Sequence, residues 1–491
     1  MLSVQEIKTF IENDAASIKK KLARTGQRYY EAEHDIKDYR IFFINKNGDF
    51  EEDKLKSNIK ISHPFFTELV DQEVQYILST PNGFVRSDNP DLQEQLDAYF
   101  NDNEDFMAEL YEVITGCVAK GFEYAYAYKN ADDRIAFKCA DSLGVVEVKA
   151  KETDDGCEYV IFWYVDRIGK DNKFIKKIQI WNESETYFFV QEDDGKILKD
   201  DSEKLNPRPH TVWTEGDDGK IYYEDFGMIP FFRLDNCRKQ FSGLKPIKAL
   251  IDDYDLMACG LSNNIQDTNE ALYVIKGFDG DDPDEMLLNV KAKKHVGVSE
   301  DGGVDIKTVD IPYQARQAKL DLDRECIYKF GFGLDTSNLK DTSATTNIAI
   351  KSAYSLLDLK CKKLEIRLKQ FMRKLLKLVL AEINEVNGTD YQQKDVYFAI
   401  EPEVPTNAME NAQIELTEAQ RRQTEINTLL GLATKLDNET LMQQICEQLD
   451  LEYNDLKDKL PLPEEVNDPY AAEVTLEAMT PTEPEDGDVI G

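Results

Sequence analysis

Between residues 244 and 331 the hydrophobic period of this chain changes from helical to alternating and back, and that switch limits the available folds more than any other feature. Ile247, Leu250, Ile251, Tyr254, Leu256, Leu261, Ile265 and Leu272 predict a helix over about 244–275. A compact insert follows at about 276–311. It holds the acidic loop 279–285, a strand with Lys291, Lys293, Lys294 and His295, a turn at 301–303, and a strand ending at Ile311. A second helix resumes after Pro312 and stops at Gly331. Long helix, small β insert and returning helix read as a hairpin arm carrying a module at its tip.

Upstream, Ser3 and Glu6 form a capping box, and Ile7, Ile11, Ile18 and Leu22 continue at helical spacing. A second amphipathic helix starts near Pro64 with Phe66, Leu69, Val70, Val74 and Ile77, and stops at Pro81, Asn82 and Gly83. A third is expected over about 92–119, using Leu96, Phe100, Leu110, Ile114 and Cys117. From Phe122 the period is two: GFEYAYAY, GVVEVKA, EYVIFWYV and KKIQIW are separated by Asp–Gly pairs at 155–156, 194–195 and 218–219, the pattern of antiparallel hairpins.

Downstream of Gly331 lies a polar stretch, 331–347, longer than most ordered loops and therefore functional or disordered. A helix of some forty residues follows over about 348–386. Leu357, Leu364, Leu368, Phe371, Leu375 and Leu378 form its apolar stripe; Lys363, Arg367, Lys374 and Lys377 lie opposite, with Lys362, Lys369 and Arg373 beside them. Residues 351–377 hold nine bases against Asp358 and Glu365. A bare solvated face is one reading of that excess; the other is a face for acidic protein surface or a polyanion. One strand (DVYFAIEP) and two or three helices over about 408–460 complete the ordered part. The last 31 residues, with nine acids and no base, read as a disordered acidic tail. The mixture is α+β.

Composition removes several function classes. Among 491 residues, 59 bases face 95 acids, a net charge of −36, so the chain is not a nucleic-acid coat working by counterion release. No apolar run approaches the roughly 18 residues of a membrane span, and the acidic start lacks the pattern of a signal peptide, so a soluble cytoplasmic product is expected. The eight cysteines include no CxxC pair and read as reduced core thiols. His34, His63, His210 and His295 share no metal-ligand spacing, and there is no phosphate-binding GxxxxGK motif. No cofactor, metal or enzymatic activity is expected. Two acidic features are weak rivals. Residues 279–285 have calcium-loop composition without its glycine and terminal glutamate. Glu147 and Lys149, with Asp132 and Asp133 upstream, form an ExK pair of the kind that holds Mg²⁺ in nucleases, although ExK is common by chance in so charged a chain.

Five segments in series resemble the portal protein family of tailed phages, SPP1-type branch. RYYEAEHDI at 28–36 is similar to that family's YYxGxHDI signature, without its glycine. Asn58 with HPFFTELVDQEVQYILSTP resembles its Asn and LVDxKVxYLLGxP helix. GFEYAY at 121–126, FGMIPFFRLDN at 226–236 and GLKPIKALIDDYD at 243–255 follow in the family's order.

The resemblance implies a portal-like α+β fold and a non-enzymatic subunit of a dodecameric ring at a capsid vertex, assembled in the host cytoplasm and carried in the virion. It implies a wing at 1–243, stem helices at 244–275 and 312–330 around a small α/β clip at 276–311, and a tunnel loop at 331–347. A long kinked wing helix at 348–388, a wing strand at 389–407, a helical crown at 408–460 and the acidic tail at 461–491 complete the layout. Expected partners are further copies of the chain, double-stranded DNA in the channel, terminase, a head-completion or adaptor protein, and the major capsid and scaffold proteins. DNA contacts are expected from Asn338, Lys340, Thr342, Ser343 and Thr345 in the tunnel loop. Clip contacts are expected from Lys291, Lys293, Lys294 and His295, and the basic helix face adds Lys363, Arg367, Lys374 and Lys377. The rival classes are a Mg²⁺-dependent nuclease using Glu147 and Lys149, and an acidic interaction scaffold without a channel.

Overall fold

The computed structural model describes residues 2–54, 56–81, 83–151, 156–168, 173–191, 195–215, 220–268, 272–278, 298–307, 312–336, 347–403, 408–432, 435, 437–449, 451 and 453. The chain divides into two compact units, residues 1–343 with 351–404, and residues 344–350 with 405–491.

In the first unit the N-terminal capping box forms as expected, with the Ser3 backbone N–H donating to Glu6 Oε2 at 2.8 Å. The expected single helix is two, Val4–Ala16 and Ile18–Tyr30. Ser17 adopts an extended conformation and its hydroxyl accepts from the Lys20 N–H, so it starts a new helix with a new buried face. Ile18 is left exposed, while Lys20 is buried and donates to Val145 O at 2.7 Å. Ile7 and Ile11 cover one face of a six-stranded antiparallel sheet. Its order is Ile197–Lys199, Glu185–Gln191, Lys173–Trp181, Tyr159–Ile168, Val145–Val148, with Arg208–Pro209 also on Glu185–Gln191. The alternating pattern at 122–191 therefore folds as the antiparallel region it predicts.

The main core lies between helices and a three-stranded sheet, Phe231–Asp235, Phe122–Lys129 and Ile135–Ala140. Phe65–Leu78 buries the expected Phe66, Leu69, Val70, Val74 and Ile77. The third predicted helix is broken: Pro90–Leu96 runs into a π turn, and Glu104–Lys120 restarts after Asn103, whose side chain accepts from Phe106 N at 3.0 Å. That helix ends at Gly121, which takes φ +99, a conformation open to glycine at no cost. The long helix Asn347–Asn387 lays all six predicted apolar residues into this unit's cores.

Lys248–Thr268 and Tyr313–Gly331 pack on each other and flank an antiparallel ribbon, Leu272–Phe278 with Val298–Lys307. The helix expected to reach Ile275 thus ends at Thr268. Leu272 and Ile275 fit either period, and the run Tyr273, Val274, Ile275 favours a strand. The expected turn at 301–303 is an irregularity inside the second strand, where register shifts between Lys276 and Phe278; the expected strand end at Ile311 lies outside the described residues. The acidic loop 279–285 lies outside the described residues. So do Lys291, Lys293, Lys294, His295, Asn338, Lys340, Thr342, Ser343 and Thr345.

The strand expected after Gly388 is short, Tyr397–Phe398, paired with Val85–Arg86. The second unit contains the helices Ala408–Gly431 and Asn438–Gln448, the latter capped by Asp437, which accepts from Thr440 N at 2.9 Å. The tail lies outside the described residues. No helix among those described is long and apolar enough to cross a membrane.

Candidate functional site

With its apolar stripe buried, the long helix turns its bases outward. Three of them are neutralised: Lys360 pairs with buried Glu73 at 2.7 Å, Lys362 with Asp358 at 2.6 Å and Lys369 with Glu365 at 2.6 Å. Lys363 sits 5.7 Å from the Phe332 ring centroid. Arg367, Arg373, Lys374 and Lys377 have no ion pair among the described residues and line two adjoining cavities of about 580 and 380 Å³. The sequence-predicted Arg367, Lys374 and Lys377 are thus brought together, with Arg373 added; Lys363 lines neither cavity.

The opposite wall is built by the sheet strands. Arg233 holds both oxygens of Glu147 at 2.6 Å and Asp235 Oδ1 at 2.8 Å, and the Tyr124 hydroxyl donates to Glu147 at 3.1 Å. Burial opposes the charge on Arg233, but Tyr124, Glu147 and Asp235 outweigh it and raise its pKa further. Burial first and the Glu147 carboxylate second push the Tyr124 hydroxyl well above its ordinary value and the Cys157 thiol to about 11. Met228, Ile229, Phe231 and Phe232 add an apolar floor. The cavity is therefore an apolar cleft with a basic rim and a fixed ion-paired wall. Such a surface fits an acidic and apolar segment.

Glu147 does not act as an ExK ligand here, because its two oxygens are taken by a guanidinium. Asp132 and Asp133 belong to the turn at Asn130, whose side chain accepts from Asp132 N and Arg134 N, and neither lines the cavity. No group of three or more metal-ligating side chains occurs among the described residues. All eight cysteines are free; Cys117, Cys259, Cys361 and Cys446 are buried, while Cys139, Cys157, Cys237 and Cys326, expected in the core, are half-buried.

A second locus gathers the quoted motifs. Asp255 is fully buried and accepts from His34 Nδ1 at 2.6 Å, His63 Nδ1 at 2.7 Å and the His63 backbone N–H at 3.0 Å. Burial pushes its carboxyl up, but these bonds prevail and hold it below the usual aspartate range. The Tyr29 ring stacks on His34 at 4.5 Å, its hydroxyl donates to Asp252, and Lys248 binds Asp252 at 2.7 Å and Asp35 at 2.6 Å.

From His63 backwards the chain is stitched to the helix Lys248–Thr268. The N–H groups of His63, Ile61, Ile59 and Ser57 donate in turn to Asp255 Oδ1, Cys259 Sγ, Asn263 Oδ1 and Asp267 Oδ1. The match is metric. Two extended residues advance about 6.6 Å, and four helical residues about 6.0 Å. Alternate N–H groups therefore meet successive turns of one helix face. Sequence reasoning missed this because the acceptors lie 192–210 residues away; their i, i+4 spacing on the helix was the available signal.

The family model described as "Phage portal protein, SPP1 Gp6-like" matches residues 10–454. The portal protein of Bacillus phage SPP1 is 27% identical over 377 residues, 75% of this chain and 73% of the relative. The portal protein of Clostridium phage phiCD119 (strain Clostridium difficile/United States/Govind/2006) is 23% identical over 405 residues, 80% of this chain and 85% of the relative. A chain from the neck of a native GTA particle, computed with C12 symmetry, aligns over 79% of this chain and 90% of its own length at 12% identity and a TM-score of 0.37, too low to establish a shared fold. With a model match over nearly its whole length, this chain belongs to the SPP1 Gp6-like family of phage portal proteins.

Proposed function

We propose that this portal subunit closes into a dodecameric ring at a capsid vertex, through which double-stranded DNA is packaged and later ejected. The observation that carries the reading is the family match over residues 10–454. Within it, residues 1–243 with 348–407 form the wing. The helices Lys248–Thr268 and Tyr313–Gly331 form the stem, and the ribbon with the residues between its strands forms the clip. Residues 331–347 form the tunnel loop and 408–460 the crown. The ring docks terminase during packaging and a head-completion protein afterwards, through the clip residues Lys291, Lys293, Lys294 and His295. It meets capsid and scaffold proteins at its wing.

A conduit must touch DNA weakly. Subunits of charge −36 surround the duplex with repulsive field, so DNA slides instead of sticking. Asn338, Lys340, Thr342, Ser343 and Thr345 supply the few phosphate contacts. The portal family is structural, and hydrolysis of ATP falls to the terminase, since this chain has no phosphate-binding loop in its sequence.

Deletion of residues 339–344 tests the loop: rings form as before, but DNA-filled particles disappear from infected or induced cells. Normal packaging by the deleted chain removes the loop from the mechanism.

A further inference from the structure

The ribbon Phe42–Ile44 with Phe50–Glu52 presents a combination of side chains that a solvated hairpin does not need. Its register pairs Phe42 with Glu52 and Ile44 with Phe50, so Phe42, Ile44 and Phe50 share one face. They are 55%, 64% and 78% exposed. Phe43, on the other face opposite Glu51, is exposed too. Asp49 and Glu51 are exposed acids on the second strand side, Lys46 lies in the turn, and Arg40 bonds Glu52 at the open end at 3.2 Å. An isolated two-stranded ribbon is marginal in water, and a contiguous apolar face of this kind marks an interaction surface.

The cavity beside the long helix has the complementary make-up. Its floor is Met228, Ile229, Phe231 and Phe232, and its rim carries Arg373, Lys374 and Lys377 without ion pairs among the described residues. Phe42, Ile44 and Phe50 on one face of the ribbon match the floor, and Asp49 and Glu51, on the other face with Phe43, match the basic rim across the cleft. A closed ring needs a heterologous contact, in which one patch of each subunit meets a different patch of the next. Both patches occur on the same unit of this chain.

We infer that the ribbon at residues 42–52 of one copy docks into the cavity between strand Phe231–Asp235 and residues 373–377 of the long helix in the neighbouring copy. The partner is a second copy of this chain, and the inference rests on the ring-forming role proposed above. The bases of the long helix then serve subunit recognition and do not face DNA. Docking also neutralises charge where two acidic subunits would otherwise repel.

The test uses the full chain with a photoreactive benzoylphenylalanine in place of Phe50, irradiated at high concentration. Adducts are mapped by mass spectrometry, and the same sample is viewed by negative-stain microscopy. The expected intermolecular adduct lies on Met228, Phe231, Arg373, Lys374 or Lys377. Lys374→Glu with Lys377→Glu lowers its yield at least tenfold, and Asp49→Lys with Glu51→Lys on the labelled chain restores it. All four residues are exposed. Circular dichroism of each variant verifies folding. Intermolecular adducts confined to other surfaces, or none at all, overturn the docking. Cavity adducts without rings would leave the docking standing and count against the portal reading alone.

Discussion

The backbone N–H of Ile59 donates to Asn263 Oδ1 over 2.7 Å, although 204 residues separate the two. It is one stitch of four that bind an extended segment to the helix Lys248–Thr268, and the acceptors are all side chains. Asn263 is 9% exposed, so its replacement by leucine leaves the Ile59 N–H facing an apolar group with little water at hand. The expected loss is about 1–3 kcal/mol of stability. Hydrogen exchange checks it residue by residue: Ile59 exchanges faster in Asn263→Leu, while amides in the six-stranded sheet keep their protection relative to the new global stability.

Acid should act on the same seam. The folded Asp255 carboxyl is held below its unfolded value, so its contribution is present in full above about pH 4 and is lost as pH falls through the lower folded value. Asp255→Asn is expected to cost on the order of 3 kcal/mol at neutral pH, because two histidines lose a buried anion. It is also expected to flatten the acid limb of the stability curve. Denaturant titrations from pH 3 to 7 measure both effects; equal acid sensitivity in variant and parent would remove Asp255 from the account.

Gly26 stands where the helix Ile18–Tyr30 packs against Glu104–Lys120. A Cβ at this position would lie 2.0 Å from Ala119 O, a backbone atom near the end of Glu104–Lys120 that has little room to yield. Gly26→Ala therefore reverses the usual gain from replacing a helical glycine and destabilises by about 1–3 kcal/mol. Thermal unfolding of the variant reads the sign directly.

Glu147 separates the structural account from the nuclease rival. In this fold its carboxylate pairs with Arg233, so Glu147→Ala is expected to lower stability by about 1–3 kcal/mol, the loss of charge-assisted hydrogen bonds while Arg233 keeps Asp235. Purified parent and variant should both leave duplex DNA intact with Mg²⁺ or Mn²⁺. Cleavage by the parent that vanishes in the variant would restore the enzyme reading.

Periodicity carried the elements whose faces are long and uninterrupted. The long helix shows its stripe from Leu357 to Leu378, and the basic side follows from the same period, so Arg367, Lys374 and Lys377 were legible as a group. What they face was not, because Arg233 and Glu147 arrive from strands far away in sequence. Breaks were harder. Ser17 and Asn103 each start a new helix inside an apolar rhythm that reads as continuous, since one extended residue shifts the phase without erasing it. The end at Thr268 was hidden because Leu272 and Ile275 satisfy both periods. The motifs at 28–36, 58–81 and 243–255 were visible one by one; their joint purpose, a buried aspartate between two histidines, requires the fold.

The central claim is that the chain builds a ring with an axial channel. Negative-stain microscopy of the purified protein, with native mass on the same sample, tests it most directly. The account predicts closed rings of about a dozen subunits around a central hole. A species that stays monomeric or dimeric at every concentration and salt, and when co-expressed with the capsid and scaffold proteins of its own particle, would contradict it.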